Sequence, residues 1–236
     1  AGGTIVASST DNNVGGDPTE FFSYVDPFVS GTISYRILIT RPAGPPTSVL
    51  KWVIRNSNGL VINEYPPTTV NALATGYGHS NATGANAVAA AFWGNTPAYG
   101  VTPPLPEGFT SNGGVQIRYN TNGVPITPVT RNKPNFCAVD GTSNTFFGNG
   151  NNFFGTSAAA PHAAAVAALM LEANSSLTPT QIRNILVGSS IDMLTPGFDF
   201  TTGSGLIQAD LAVAGAIEVN CNISDISVVS GPTCVV

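Results

Sequence analysis

Ser157 is the residue whose type and setting could do chemistry, because it stands where a loop turns into an apolar helix. The surrounding stretch, FFGTSAAAPHAAAVAALML, occupies residues 153–171. The first backbone N–H groups of a helix have no intrahelical partner, and the helix dipole favours negative charge there. An oxyanion formed when a Ser hydroxyl attacks a carbonyl would be stabilised at such a place. The position suits a nucleophile, although Ser at a helix start is also a common N-cap.

The neighbours of Ser157 fit the same chemistry. Gly155 lets the backbone approach a substrate closely. Three alanines at residues 158–160 leave room for a substrate and let the helix pack deep in a core. Pro161 falls in the first turn, where its missing N–H does little harm. The surroundings therefore agree with a nucleophile at the start of a buried helix.

The string GTSAAAPH at residues 155–162 resembles the nucleophile motif of subtilisin-like serine proteases, the subtilases. That motif is Gly-Thr-Ser, one residue, Ala, one residue, Pro-His. The resemblance extends over residues 76–216 and implies a serine endopeptidase that hydrolyses polypeptides by acyl transfer. The other segments similar to the family are GHSNATGANAVAAAFW (78–93), FTSNGG (109–114), KPNFCAVDG (133–141), LTPTQIRNIL (177–186) and GSGLIQADLA (203–212).

The resemblance assigns roles to the motif and its flank. Ser157 would be the nucleophile, and its backbone N–H would donate to the oxyanion. Thr156 and Gly155 would support that site, and Phe153 and Phe154 would line the leaving-group side of the substrate cleft. For the two phenylalanines, core packing is the alternative interpretation.

The general base that a Ser nucleophile needs is not evident in the sequence. Subtilases carry their Asp in Asp-[Ser/Thr]-Gly and their His in His-Gly-Thr, and neither string fits here. His162 follows Ser157 by five residues, about 140° round a helix, so it should point away and be structural. We interpret His79 as a loop or packing residue and Asp140 as a turn residue. The catalytic Asp and His and the oxyanion Asn are expected upstream of Ala1, so the chain alone should be inactive.

The expected fold class is α/β, with a subtilisin-like, partly parallel sheet and its helices in residues 76–216. Apolar runs predict buried strands at residues 87–92 and 136–139. Three helices are predicted. The first covers residues 157–173, and the second begins at the capping box of Thr178 and Gln181, with Pro179 in its first turn. The third is a short helix at the end of residues 203–216. Residues 1–75 are predicted to form an antiparallel β-sandwich insertion, and 217–236 a tail or the start of a further module. The strands predicted for the sandwich are residues 32–40, 48–56 and 59–65.

Composition limits the partners. Only 9% of the 236 residues are charged, the formal net charge is −5, and no Lys/Arg cluster occurs, so nucleic acid and membranes are excluded. Uncharged polar residues dominate instead, which favours a secreted or cell-surface protein. Cys221 and Cys234 could pair, whereas Cys137 should be a small buried hydrophobe. With two histidines and no closely spaced cysteines, we predict no metal site and no cofactor.

Two other functions stay open at this point. The chain could come from a non-catalytic subtilase-like pseudoenzyme, or it could serve as a surface binding module through residues 15–75. It could also remain associated with its own N-terminal half as a partner. An unrelated α/β hydrolase is disfavoured, because a nucleophile elbow needs Gly where Ala159 stands.

Overall fold

A computed structural model divides the chain into two compact units, Ala1–Trp52 and Val53–Val236. The described residues are 3–12, 19–27, 30–43, 50–52, 74–147 and 152–218.

In the first unit, the described residues contain neither helix nor strand. Local contacts are present: the rings of Tyr24 and Tyr35 meet edge to face at 5.4 Å. The strand predicted at 32–40 is described but has no strand pairing, and 48–56 is described only at 50–52. The third predicted strand, 59–65, lies outside the described residues, as does the Cys221–Cys234 pair. The β-sandwich insertion is therefore not confirmed.

The second unit contains the regular structure. Its described α-helices are α1 (Thr156–Ala173), α2 (Pro179–Gly188) and α3 (Ala209–Glu218). Its described strands are β1 (Val88–Phe92), β2 (Gln116–Tyr119), β3 (Pro125–Thr130), β4 (Phe136–Asp140), β5 (Thr142–Ser143) and β6 (Asn152–Phe153). Short 3-10 turns occur at Gly78–Asn81, Trp93–Asn95 and Pro97–Tyr99.

The centre of this unit is a parallel pair of strands, β1 and β4. Their register runs from Val88 opposite Phe136 to Phe92 opposite Asp140. A further segment lies along the other edge of β4, where Cys137 N–H donates to the Gly205 carbonyl at 2.8 Å. The predicted α/β class is confirmed: the fold is mixed α/β, with helices and a small parallel sheet.

Both faces of this sheet are covered. Ala90 and Ala138 belong to the buried cluster that includes α1, whereas Ala89, Ala91 and Cys137 face a second buried cluster. This alternation is the two-residue period of a strand, and burial on both faces explains the continuous apolar runs. Cys137 is fully buried, as the sequence predicted.

The helices begin close to their predicted positions. α1 starts one residue earlier than expected, at Thr156. The capping box of α2 is confirmed: Thr178 N–H donates to Gln181 Oε1 at 2.9 Å, and Gln181 N–H donates to Thr178 Oγ1 at 3.3 Å. None of the helices in the described part of the chain combines the length and apolar character that a membrane span requires.

Two short strands connect the sheet to α1. β5 follows β4 directly and pairs antiparallel with β6, with Thr142 opposite Phe153. The chain then enters α1 three residues after Phe153. This path places the start of α1 beside the carboxyl end of the parallel pair, where ligand sites of α/β sheets occur.

Candidate active site

Ser157 is the second residue of α1 and is exposed. Within the described residues, neither its hydroxyl nor its backbone N–H makes a hydrogen bond. A free N–H in the first turn, close to the positive end of the helix dipole, is a donor for an anion. The Ser157 N–H could therefore stabilise the oxyanion that forms when the Ser157 hydroxyl attacks a carbonyl group.

Gly155 forms the turn that leads into α1. Its φ of 135° and ψ of 156° lie in a region that side-chain-bearing residues rarely adopt. Its carbonyl accepts hydrogen bonds from Ala158 N–H at 2.8 Å and from Ala159 N–H at 3.1 Å. Its own N–H donates to Asp140 Oδ2 at 2.7 Å. The turn before Ser157 is thus held on both sides.

Asp140, at the end of β4, is fully buried. The sequence interpretation of it as a turn residue was wrong, because it closes the register of the parallel pair opposite Phe92. Its Oδ1 has no hydrogen-bond partner among the described residues. Glu107 is its acidic neighbour: the pKa of the Glu107 carboxyl is raised by burial first and then by the charge of Asp140 and a hydrogen bond to it.

Phe154 packs on the carboxyl end of β1. Its ring centroid lies 5.7 Å from that of Phe92, and Phe92 lies 5.0 Å from Trp93. The indole N–H of Trp93 donates to the Gly141 carbonyl at 2.8 Å. A Cβ on Gly141 would lie 2.7 Å from the Phe92 ring and 2.8 Å from Phe154, so this packing requires Gly there. Phe154 remains 49% exposed and so keeps a free surface.

Phe153 points to a different place. It lines a cavity of about 580 Å³ together with Phe147, Ala158, Pro161 and His162. The rings of Phe153 and Phe147 lie 5.0 Å apart. The cavity begins one residue beyond Ser157, because Ala158 forms part of its wall. An apolar side chain beside the exposed hydroxyl could occupy it.

Neither histidine reaches Ser157 by a hydrogen bond in the part of the chain that the structure describes. His162 Nδ1 bonds to the carbonyl of Ala158 at 2.8 Å, one turn back along α1. A carbonyl only accepts, so Nδ1 carries the proton in this contact. His79 is exposed in the 3-10 turn Gly78–Asn81.

A family model for the subtilase family matches residues 3–205, most of the chain. The chain belongs to the subtilase family. This match begins at residue 3, well before the motif resemblance over residues 76–216, and ends at residue 205.

Individual relatives of this subtilase match shorter parts of it. Fervidolysin of Fervidobacterium pennivorans is 36% identical over 75 residues, which is 32% of this chain and 11% of fervidolysin. The crystal structure of fervidolysin, a keratinolytic enzyme related to subtilisin, is 25% identical over 58% of this chain and 20% of that chain, with a TM-score of 0.37. The subtilisin-like protease Apa1 of the Antarctic psychrotroph Pseudoalteromonas sp. AS-11 is 34% identical over 27% of this chain and 15% of its own, with a TM-score of 0.26. The chain thus spans about a tenth to a fifth of the length of these relatives.

In this subtilase the sequence located the helix start and the Ser157 loop, but it missed the two carboxyl groups behind them. Asp140 and Glu107 are separated by 33 positions and meet only because β4 lies beside β1 and the loop that follows it. One signal was available: a carboxylate directly after an apolar parallel strand lies at the edge where α/β sheets place functional groups.

Proposed function

We propose that this chain carries the nucleophile part of a subtilisin-like serine endopeptidase. Ser157 Oγ attacks the carbonyl carbon of a peptide bond, a general base takes the hydroxyl proton, and that proton passes to the leaving amine. Water then hydrolyses the acyl-enzyme and restores the hydroxyl. The observation that carries the proposal is the exposed Ser157 with an unengaged hydroxyl and N–H, within the described residues, at the start of α1. The sequence predicted a buried helix here, but α1 buries only one face, through Ala158, Ala159, Ala163 and Met170.

The oxyanion donor is the N–H of Ser157, and Thr156 and Gly155 support it. Both precede Ser157 in the turn. The carbonyl and the N–H of Gly155 already make hydrogen bonds, so the turn holds the Ser157 N–H in place before substrate binds. A preorganised donor of this kind contributes about 3 kcal/mol of transition-state stabilisation.

The base is proposed to come from outside these 236 residues. His162 donates to its own helix and His79 is exposed in a separate turn, so neither is placed to take the Ser157 proton. The catalytic Asp, the catalytic His and the oxyanion Asn would be supplied by the protein's N-terminal half. Without the base, catalysis should fall by about 10⁴-fold or more.

The substrates of the proposed enzyme are polypeptides. Phe153 and the aromatic cavity beside Ala158 would receive an apolar residue on the leaving-group side, and the exposed face of Phe154 would form the adjoining wall of the cleft. Secretion or a cell-surface location agrees with the uncharged polar composition. Residues 1–75 are proposed to be a β-rich insertion, 76–216 the peptidase part, and 217–236 a tail or further module.

Hydrolysis of a peptide library tests this proposal. The 236-residue chain and the longest product of its gene are each incubated with the library, and the new peptide ends are identified by mass spectrometry. The longest product should cleave, its Ser157→Ala variant should lose at least about 10³-fold in rate, and the chain alone should not cleave.

Two outcomes would contradict the proposal. Absence of cleavage by a folded longest product would favour the non-catalytic alternative, a subtilase-like pseudoenzyme or binding module. Cleavage by the isolated chain that is lost in Ser157→Ala would show that the base lies within these residues, and the interpretation of His79 and His162 would be wrong.

A further inference from the structure

We infer that Asp140 and Glu107 form a carboxyl–carboxylate pair that shares one proton and positions the Gly155 turn, and through it Ser157. The value of this positioning for catalysis rests on the proposed function. The pair itself does not, because the burial of Asp140, its bond to Gly155 and the position of Glu107 hold whatever reaction Ser157 performs.

The first step is the burial of Asp140. It is fully buried at the end of an apolar strand, where an unpaired carboxylate would be strongly disfavoured. Neither it nor Glu107 forms an ion pair within the described residues. The Asp140 carboxylate must therefore be compensated by hydrogen bonds from groups around it.

The second step is the bond to the turn. Asp140 Oδ2 accepts the Gly155 N–H at 2.7 Å, the short distance typical of a charge-assisted hydrogen bond. Gly155 is held in its unusual conformation at this one N–H, while its carbonyl accepts from the first turn of α1. Ser157 lies in the segment between Gly155 and Ala158, which these hydrogen bonds hold. A shift of Asp140 would therefore move Ser157.

The third step is the second oxygen. Asp140 Oδ1 is buried and has no hydrogen-bond partner among the described residues. A carboxylate only accepts, but a protonated Glu107 would donate to it. The backbone of Glu107 is held beside β1, since its N–H donates to the Ala90 carbonyl at 2.8 Å.

The Cys137 thiol, a further titratable group near the pair, adds no charge that could compensate Asp140. Cys137, on β4, has its thiol pKa raised by burial first and then by the charge of Asp140, so it stays neutral. The pKa of Glu107 is raised in turn by burial and by Asp140. Two like charges side by side are the arrangement in which one carboxyl keeps its proton.

Hydrogen exchange at the Gly155 amide tests the pair without any assay of activity. It is measured in the longest gene product by mass spectrometry with single-residue fragmentation, and corrected for the intrinsic rate. Asp140→Asn should exchange about tenfold faster at Gly155, because a neutral acceptor replaces a charged one. The matched control is Asp192→Asn, since Asp192 Oδ2 accepts the Gly197 N–H at 2.6 Å away from the site. It should change exchange at Gly197 and at Met193, whose N–H donates to Asp192 Oδ1 at 2.9 Å, and leave Gly155 unchanged.

Glu107→Gln separates a shared proton from a merely structural carboxyl. Its side-chain amide donates at every pH, so Gly155 protection should stay constant across a pH titration, whereas the wild type should lose protection as pH rises above the ordinary glutamate range. This substitution keeps the side-chain size and remains informative if Asp140→Asn does not fold. Constant protection of Gly155 in the wild type across the whole titration would overturn the pair.

The consequence for Ser157 is measured on the same proteins with a fluorophosphonate that reacts with nucleophilic serines. Labelling should be about tenfold slower in Asp140→Asn and unchanged in Asp192→Asn. Normal labelling of Asp140→Asn despite a faster-exchanging Gly155 would overturn the positioning role. Absence of labelling in the wild type would refute the proposed function, while the pair would still be decided by Gly155 exchange.

Discussion

At the scale of single residues, the candidate site depends on backbone conformation as much as on side chains. Ser157 supplies the hydroxyl, but its direction is set by a Gly at positive φ and by a buried Asp that holds the Gly amide. Phe153 and Phe154, adjacent in sequence, are directed to a cavity and to the end of β1 respectively. The properties of Ser157 therefore belong to a turn rather than to one side chain.

Gly155→Ala should destabilise the second unit by about 1–3 kcal/mol, because φ of 135° is strained for any residue with a Cβ. Space is not the reason, since the added Cβ would meet only ordinary contacts, the nearest being Ser157 N at 3.6 Å. Urea unfolding measures the change. Gly188→Ala is the control, because Gly188 ends α2 at a negative φ with no atom within 4 Å, and it should be neutral or stabilising. Equal stability of the two variants would contradict this explanation.

Glu107→Gln should alter how stability depends on pH. The folded-state pKa of Glu107 is raised, so the folded protein binds this proton more tightly than the unfolded chain. The wild-type free energy of unfolding should therefore fall as pH rises from the ordinary glutamate range through the raised pKa. The variant lacks this decrease. Glu172→Gln, at an exposed position of α1, should keep the wild-type slope, and a wild-type slope in Glu107→Gln as well would contradict the prediction.

At the scale of elements, local signals predicted more than non-local ones. The capping box of Thr178 and Gln181 was readable because all its parts lie within four residues. The apolar run at 87–92 predicted β1 for the same reason. The strand predicted at 32–40 has the right alternation but no strand pairing, because alternation cannot supply a partner strand.

The Asp140 misinterpretation has a similar cause. The string VDGTS, residues 139–143, contains turn-forming residues. Nothing in the local sequence shows that β4, which ends at Asp140, pairs with β1. Burial of that carboxylate, its bond to Gly155 and its neighbour Glu107 all depend on this parallel pairing. Groups that meet through a crossover are thus the ones that sequence patterns miss.

Arg183 connects α2 to the loop before β1, so its substitution should weaken this connection and lower stability. Its guanidinium donates to Asn86 Oδ1 at 2.5 Å and to the Gly84 carbonyl at 2.8 Å. Arg183→Lys cannot reproduce this fork and should lower the free energy of unfolding by about 1–2 kcal/mol. Arg118→Lys is the control, since Arg118 bonds to Gln116 within its own strand. The same loss in both variants would contradict a connecting role for Arg183.

At the scale of the molecule, the chain belongs to the subtilase family, whereas the set of residues that completes the catalytic site is proposed. The subtilase match covers residues 3–205. Within the described residues the structure places the exposed hydroxyl and N–H of Ser157 beside an aromatic-lined cavity, and neither His79 nor His162 bonds to that hydroxyl. The described part of the second unit is sufficient to shape that site. A complete triad would need a base and its acidic partner from outside the described residues.

The measurement that tests this account most directly is fluorophosphonate labelling of the longest gene product and of the 236-residue chain, each beside its Ser157→Ala variant. The adduct is located by mass spectrometry, and folding is checked by circular dichroism. The account predicts an adduct on Ser157 in the longest product, none in either Ala variant, and none in the chain alone. A folded longest product without an adduct, or an adduct on Ser157 in the isolated chain, would contradict it.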